Sequence, residues 1–219
     1  MTLTKEQQAA IAEKVNSMTL PSGLGTKESA CSIAAINLAL TGRLTDKIPA
    51  CMSKVIGHWI ITVQDAMPDS MRNSKAWKSL LPLAAGTGKD RSPARLALIR
   101  DWVWTDVLPH IQQVADAGGF GDEWRALCEQ RTPAAAVAAG AAAAVDAAEA
   151  AGVAWAVMEA EELTNAAEAV TKSAVVLAMT WASGAVVAAK ASGDQEKAWR
   201  HFDPCGLLQK LVEVGNDIA

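Results

Sequence analysis

The sequence predicts an all-α protein, and three observations support this fold class. Ala, Leu, Glu and Lys, which favour helices, are abundant, whereas β-branched runs with a period of two are scarce. Pairs that mark the start of a helix recur along the chain as Ser-Pro, Thr-Pro and Asp-Pro. Apolar residues make up 51% of the 219 residues, but only two are Phe and none is Tyr. We therefore expect a core filled by Ala, Val, Leu and the eight Trp.

A chain of this length supports one sizeable core. We expect a single all-α domain over residues 1–219, folded as a multi-helix bundle of about eight or nine helices. Its parts are mixed helices over 1–131, Ala-rich helices over 132–192 that form a long hairpin, and a terminal helix over 203–214.

The first helix is expected over residues 4–18, because Thr4 and Gln7 have the form of a capping box. LPSGLG, residues 20–25, interrupts helical structure with one Pro and two Gly. The pattern predicts a second helix that begins at residue 26 or 27 and ends at residue 41, with Gly42 as its C-cap.

Further helices are expected over residues 52–67 and 69–81, with Ser53 as a cap for the first. Residues 82–91 then read as a flexible, basic turn, and Ser92-Pro93 begins a long helix. Pro109 is expected to kink that helix, because proline removes a backbone donor.

Gly118-Gly119 ends the long helix, and a short helix follows over residues 121–130. More than half of residues 132–158 are alanine, and Thr132-Pro133 supplies a helix start. Asp146 and Glu149 lie inside this tract and exclude a membrane span there. We expect a covered helix over 133–163, a break near 163–165 at a second capping box, and a helix over 165–191.

Charge is distributed in blocks although the net charge is only −4. Residues 72–100 carry a net charge of +6, and residues 101–168 carry −10. The two blocks are expected mainly to attract each other, but they also suggest a contact surface for a charged partner. The candidate partner-binding residues are Arg72, Lys75, Lys78, Lys89 and Arg91.

The four cysteines are far apart and contain no C-x-x-C pair, which excludes zinc-ribbon and thioredoxin-like sites. The N-terminus has no apolar signal region. The simplest interpretation is free thiols in a reducing cytoplasm, with no cofactor.

AAGTGKD resembles part of a phosphate-binding loop, but the spacing is wrong. The motif needs Gly five residues before Gly-Lys and Ser or Thr after it, whereas Leu83 and Asp90 occupy those positions. An interhelical turn is the better interpretation.

Five residues are weak candidates for catalysis: His58, Asp106, His110, His201 and Cys205. Asp106 and His110 are four residues apart, as metal ligands on one helical face would be, but Pro109 disturbs that geometry. A solvated histidine is favoured there. His201 and Cys205 flank a helix start, where a thiol pKa can be lowered, but capping and packing explain these residues equally well.

The eight Trp could stack nucleic-acid bases beside the basic segment 72–100. The chain is acidic overall, however, and Trp is the natural filler of an Ala-rich core, so nucleic acid is disfavoured as a partner. Residues 173–189 are uncharged but diluted by Ala, Ser, Thr and Gly, and they favour a buried helix over a membrane span.

Several blocks occur in a consistent order: CSIAAINLALTGRLTDKIPACMSKVIGHWIITVQDAM, LLPLAAGTG, RLALIRDWVW, GFGDEWRALCEQRT, an Ala-rich tract and HFDPCGLLQKLVEVG. In this the chain resembles a group of uncharacterised bacterial and phage-encoded helical proteins whose Ala-rich tract varies. The Ala-rich half is also similar in composition to bacterial immunity-type proteins, which bind a partner. The resemblance implies no activity and supplies no catalytic residue.

The sequence therefore favours a non-enzymatic binding or inhibitor protein that recognises another protein and is linked to phage or defence. Two alternatives stay open. One is an enzyme or small-molecule binder with an interhelical site, and the other is a self-assembling structural protein that forms a homo-oligomer.

Overall fold

The computed structural model describes residues 3–88, 91–142, 182–183, 185–190 and 192–214. Within these ranges the backbone forms helices, turns and two isolated bridges, and no sheet is present. The predicted all-α class is confirmed.

The chain divides into two compact units. Unit 1 comprises Met1–Arg95 with Pro204–Ala219, and unit 2 comprises Leu96–Asp203. The terminal helix packs against N-terminal helices and so belongs to unit 1.

Unit 1 contains six described helices, all α-helical. They are α1 (Lys5–Ser17), α2 (Ser32–Thr41), α3 (Lys54–Ala66), α4 (Asp69–Arg72), α5 (Lys75–Ala85) and α11 (Pro204–Glu213). The helix α6 (Ser92–Trp102) leads from unit 1 into unit 2.

Besides helical residues at 182–183 and 185–190, unit 2 contains two turns of non-α geometry and four further described helices after α6. In order these are a π turn (Val103–Val107), a 3-10 turn (Leu108–Ile111), α7 (Gln112–Gly118), α8 (Gly121–Gln130), α9 (Pro133–Ala142) and α10 (Gln195–Phe202).

Helix α2 forms the centre of unit 1. It packs against α1, α3 and α5, and residues 32–37 are buried on every side of the helix. Trp59 and Trp77 fill the space beside it, with ring centroids 6.2 Å apart. The apolar Ile-Ala-Ala-Ile run of α2 is explained by this burial.

The start predicted for α2 at residue 26 or 27 is wrong. The helix begins at Ser32, because residues 20–31 form a loop and Cys31 acts as the N-cap. The Cys31 Sγ accepts a hydrogen bond from the Ala34 N–H at 3.4 Å. The C-cap prediction is confirmed, since Gly42 adopts a left-handed φ of 70°.

The single helix predicted over residues 69–81 is two helices. Ser74 caps α5 by accepting a hydrogen bond from the Trp77 N–H at 3.1 Å, which ends the preceding short helix α4. Pro82 lies inside α5 rather than at the start of a loop. Its ring is buried, so packing offsets the lost backbone donor.

Pro109 interrupts α-helical geometry as predicted. Residues 103–107 form a π turn and residues 108–111 a 3-10 turn, so the backbone changes its hydrogen-bond pattern around the missing donor. Trp124 stabilises this region, because its indole Nε1 donates to the Leu108 carbonyl at 2.9 Å.

The Ala-rich tract is described only in part. Its predicted start is confirmed: α9 begins at Pro133, and the Thr132 Oγ1 accepts a hydrogen bond from the Ala135 N–H at 3.3 Å. Ala135, Ala136 and Ala139 form its buried face, and α9 packs on α8. The predicted break at 163–165 and most of the second Ala-rich helix lie outside the described residues.

Candidate functional site

Residues 20–31 of unit 1 form a loop, here called the Leu24 loop, whose backbone is hydrogen-bonded throughout. The Thr26 N–H donates to the Ser29 carbonyl at 2.6 Å, and the Cys31 N–H donates to the Leu24 carbonyl at 3.2 Å. The Ser29 hydroxyl reaches the Thr19 carbonyl at 3.1 Å and so closes the base of the loop. Such internal bonding is typical of a preformed surface loop.

Two glycines set the path of the loop on either side of Leu24. Gly23 and Gly25 adopt left-handed φ values of 71° and 77°. A Cβ added at Gly25 would collide with the backbone of Ser29, so only glycine fits at that position. The Gly23 N–H is fixed from outside the loop by the Asp65 Oδ1 at 2.8 Å.

The loop holds an apolar side chain in solvent. Leu24 is 42% exposed, and the flanking residues of the loop tip, 22–28, are also exposed. A cavity of about 30 Å³ lies beneath it, lined in part by Leu24, Asp46 and Asp65. This volume is of the order of one water molecule, so the cavity does not suit a metabolite.

Arg72, which is only 4% exposed, links the loop to the core by hydrogen bonds. Its guanidinium donates to the carbonyls of Leu20 at 2.9 Å, Gln64 at 2.8 Å and Met67 at 2.7 Å, and it pairs with Asp69. Burial lowers the pKa of Arg72 from its ordinary value, although the fork of donors compensates for much of the lost hydration.

Amide side chains complete the attachment of the loop. Asn73 accepts a hydrogen bond from the Leu20 N–H at 2.7 Å and donates to the Leu20 carbonyl at 3.1 Å. Gln64, which is 1% exposed, accepts from the Ser32 N–H at 2.5 Å and donates to the Pro21 carbonyl at 3.4 Å. Both ends of the loop are thus bound to α3 and to the α4–α5 junction.

The burial of Arg72 removes it from the predicted partner-contact set. Among the other members, Lys75 is exposed and Arg91 is half-buried. Lys78 is half-buried, and its ammonium donates to the Met18 carbonyl at 2.7 Å. Lys89 lies outside the described residues.

At Thr87 and Gly88, the AAGTGKD segment packs against neighbouring backbone and is not an open turn. The Thr87 Oγ1 accepts from the Ser53 N–H at 3.2 Å and donates to the Ala84 carbonyl at 2.5 Å. A Cβ at Gly88 would meet the backbone of Cys51 at 2.9 Å. The Thr87 carbonyl also accepts from the buried Arg95 at 3.2 Å, which explains this sequence without a phosphate ligand.

The five catalytic candidates are divided between the units. His58, on α3, and Cys205, on α11, lie in unit 1 and are half-buried. Burial, and then the charge of Lys54, lower the pKa of His58 below the usual histidine value.

Asp106, His110 and His201 belong to unit 2. His110 and His201 stack with ring centroids 4.7 Å apart and an interplanar angle of 25°. Asp106 instead accepts a hydrogen bond from the Thr105 hydroxyl at 2.7 Å. Burial, and then the neighbouring His201 and Lys197, lower the pKa of His110.

The predicted metal pair of Asp106 and His110 gains no further ligand in the described part of the chain. No group of three or more His, Cys, Asp or Glu that could hold a metal ion occurs among the described residues. The near-parallel rings of His110 and His201 also direct their in-plane lone pairs along parallel planes rather than toward one point.

The described Trp residues are core residues. Trp59, Trp77, Trp102, Trp104, Trp124 and Trp199 are each no more than 5% exposed. They therefore present no free ring faces for base stacking, and the interpretation of Trp as core filler is confirmed for these six. Trp155 and Trp181 lie outside the described residues.

Sequence reasoning missed the Leu24 loop, because LPSGLG was interpreted only as a helix break. The available signal was a leucine between two glycines, a pattern that places an apolar side chain at the tip of a left-handed turn.

Among the described residues, no helix combines the length and the apolar character needed to cross a bilayer. Comparison of the chain with protein-family models, with curated proteins and with solved structures found no match.

Proposed function

We propose that this protein is a non-enzymatic, protein-binding protein whose contact surface is centred on Leu24. The observation that carries this proposal is the exposure of Leu24 on a loop that is already fixed by hydrogen bonds to the core. A loop that is ordered before binding loses little conformational entropy on association, so even a small apolar anchor contributes to affinity.

The surroundings of Leu24 suit a protein partner. Lys27, Glu28, Asp46 and Asp65 are exposed on the tip and beside it, and they would form a polar rim around the apolar centre. Interfaces between proteins commonly combine a buried apolar centre with such a rim. The partner would supply an apolar recess for the leucine.

Nucleic acid is the weaker proposal. Two of the seven positive charges of segment 72–100, those of Arg72 and Arg95, are buried and bonded to backbone carbonyls. The six described Trp are buried as well. Both observations favour a protein over a polyanion. The resemblance to phage-encoded and immunity-type proteins adds inhibition of the partner as the proposed role.

Site-specific photo-crosslinking tests this proposal. A photoreactive amino acid placed at position 24 should capture a partner protein in a lysate of the source organism, whereas the same group at position 83 should not. Leu83 is the matched control, because it is also a leucine of unit 1 and is 48% exposed.

Titration calorimetry with the purified partner then measures the contribution of the leucine. Leu24→Asp should weaken binding by at least about tenfold, which corresponds to about 1.4 kcal/mol. Leu83→Asp should leave the affinity within about twofold of the original value. Equal affinities for the original chain and Leu24→Asp would exclude Leu24 as the contact.

A further inference from the structure

A second feature, in unit 2, is independent of the Leu24 loop. Helix α10 lies against the π turn, and an aromatic cluster joins the two elements. The Trp102 Nε1 donates to the Phe202 carbonyl at 2.5 Å, and the two rings meet edge to face at 6.3 Å. Trp199 packs on Phe202 at 5.6 Å.

The stack of His110 and His201 lies on the outer side of this cluster. His110 projects from the 3-10 turn and is half-buried, whereas His201 projects from α10 and is exposed. Phe202 lies in edge-to-face contact with the His110 ring at 5.4 Å and with the His201 ring at 6.4 Å. The stack therefore connects the same two elements as the aromatic cluster does.

The charges around the stack disfavour its doubly protonated form. The charged groups that act on His110 are His201 and Lys197, both on α10 and both cationic when protonated. Two stacked imidazolium rings repel each other, whereas two neutral rings, or one of each kind, attract.

Five carboxylates of the neighbouring elements have partners outside the stack. Asp106 accepts from Thr105, and Asp116 accepts from the Gln112 side chain at 2.8 Å. Asp122 pairs with Arg125 at 2.7 Å, and Glu196 pairs with Arg200 at 2.6 Å. On α6, Asp101 pairs with Arg100 at 3.0 Å, and Asp203 follows the last residue of α10.

We propose that the His110–His201 stack is a pH-sensitive latch, which holds α10 on the π and 3-10 turns at neutral pH and releases it on acidification. Helix α10 is suited to such movement because it has only eight residues and a left-handed residue on each side. Gly193 has a φ of 73° and Asp203 a φ of 45°. Its release would expose Trp199 and Phe202, which are buried at neutral pH.

The sign of the pH dependence follows from the lowered pKa of His110. The unfolded chain takes up a proton at the ordinary histidine pKa of about 6.5, before the folded chain does. The stabilising contribution of neutral His110 is therefore complete above that pH, and it decreases as the pH falls through it toward the lower pKa of the folded state.

Hydrogen–deuterium exchange of the full chain tests the latch. Amide protection of residues 195–202 should fall severalfold between about pH 7.5 and about pH 5.5, after correction for intrinsic exchange. Protection of residues 32–41 in unit 1 should not follow the same course.

Three variants make the test specific. His110→Phe keeps an aromatic ring but cannot be protonated, so residues 195–202 should stay protected at the lower pH. His201→Phe should have the same effect and replaces the first variant if that chain does not fold. His58→Gln changes the third histidine of the chain, in unit 1, and should leave the pH response of α10 intact.

Protection of α10 in the original chain and in the three variants decides whether the latch exists. Loss of the α10 response in either phenylalanine variant, with its retention in His58→Gln, supports the latch. Constant protection of α10 in the original chain across the pH range overturns it, and so does an unchanged response in both phenylalanine variants.

Discussion

In unit 1 arginine and amide side chains bond to an irregular loop, whereas in unit 2 indole rings bond to the 3-10 turn and to α10. In unit 1, Arg72 alone donates to three backbone carbonyls. In unit 2, Trp124 and Trp102 each donate to one carbonyl, those of Leu108 and Phe202.

The difference follows from the backbone that each unit has to support. A loop such as residues 20–31 leaves carbonyls and N–H groups pointing in several directions, so a side chain with a fork of donors is needed. Helical turns satisfy most of their own backbone groups, even when they change from α to π or 3-10 geometry. One indole N–H then suffices, and its large ring fills the adjacent volume.

The largest effect is expected for Arg72→Ala. The substitution leaves the Leu20, Gln64 and Met67 carbonyls without their shared donor, and it should lower the free energy of unfolding of unit 1 by about 3–5 kcal/mol. Urea titration followed by circular dichroism measures the change.

Arg43→Ala is the control for Arg72→Ala, because Arg43 is exposed. It should alter stability by less than about 0.5 kcal/mol. A similar, small loss for both variants would mean that the carbonyls around Arg72 are hydrated, and the contrast between the units would fail.

Unit 2, whose core contains several indole rings, should exclude water from Cys128. Cys128 lies four residues after Trp124 on α8, and burial raises its thiol pKa to about 11. At about pH 8 its alkylation by iodoacetamide should be about 100-fold slower than that of the same residue in the urea-unfolded chain. Mass spectrometry of the Cys128 peptide gives both rates, and equal rates would contradict a dry environment.

A smaller effect is expected for Trp124→Phe, which keeps an aromatic ring but removes the donor to Leu108. The loss should be about 2 kcal/mol, because the buried Leu108 carbonyl beside Pro109 loses its side-chain donor. Thermal unfolding measures it.

Trp77→Phe is the counterpart in unit 1, where the indole donates to the Ser32 hydroxyl at 3.0 Å. A hydroxyl can rotate toward another partner, so this loss should be nearer to about 1 kcal/mol. The reverse order of the two losses would show that indole donors matter more in unit 1 than proposed.

The smallest effect is expected at the N-terminal cap of unit 1. Thr4 accepts from the Gln7 N–H at 3.2 Å and donates its own N–H to the Gln7 side chain at 3.0 Å. Thr4→Ala should cost about 1 kcal/mol, measured by urea titration. Ser22→Ala, at an exposed loop position, should leave the midpoint unchanged, and a loss equal to that of Thr4→Ala would count against the cap.

Local signals predicted many of the described helix ends. The capping box at Thr4, the left-handed Gly42 and the Thr132-Pro133 start each act within a few residues of chain, so they are visible in sequence. The start of α2 was misplaced because the cap there is Cys31, a residue type that rarely caps helices.

The candidate site could be predicted only in fragments. Among the catalytic candidates, His110 and His201 were both named, but nothing in a sequence separation of 91 residues indicates that their rings stack. Arg72 was named as a partner-binding candidate although it is buried, because charge counts along a chain carry no information on burial.

By itself the sequence determined the all-α class, the helix caps that depend on near neighbours, and the use of Trp as core filler. Only the tertiary structure decided that Arg72 lies inside, that Leu24 is held outside, and that two distant histidines touch. The physical reason is that helix propensity and capping are local, whereas burial and stacking depend on which segments fold back on one another.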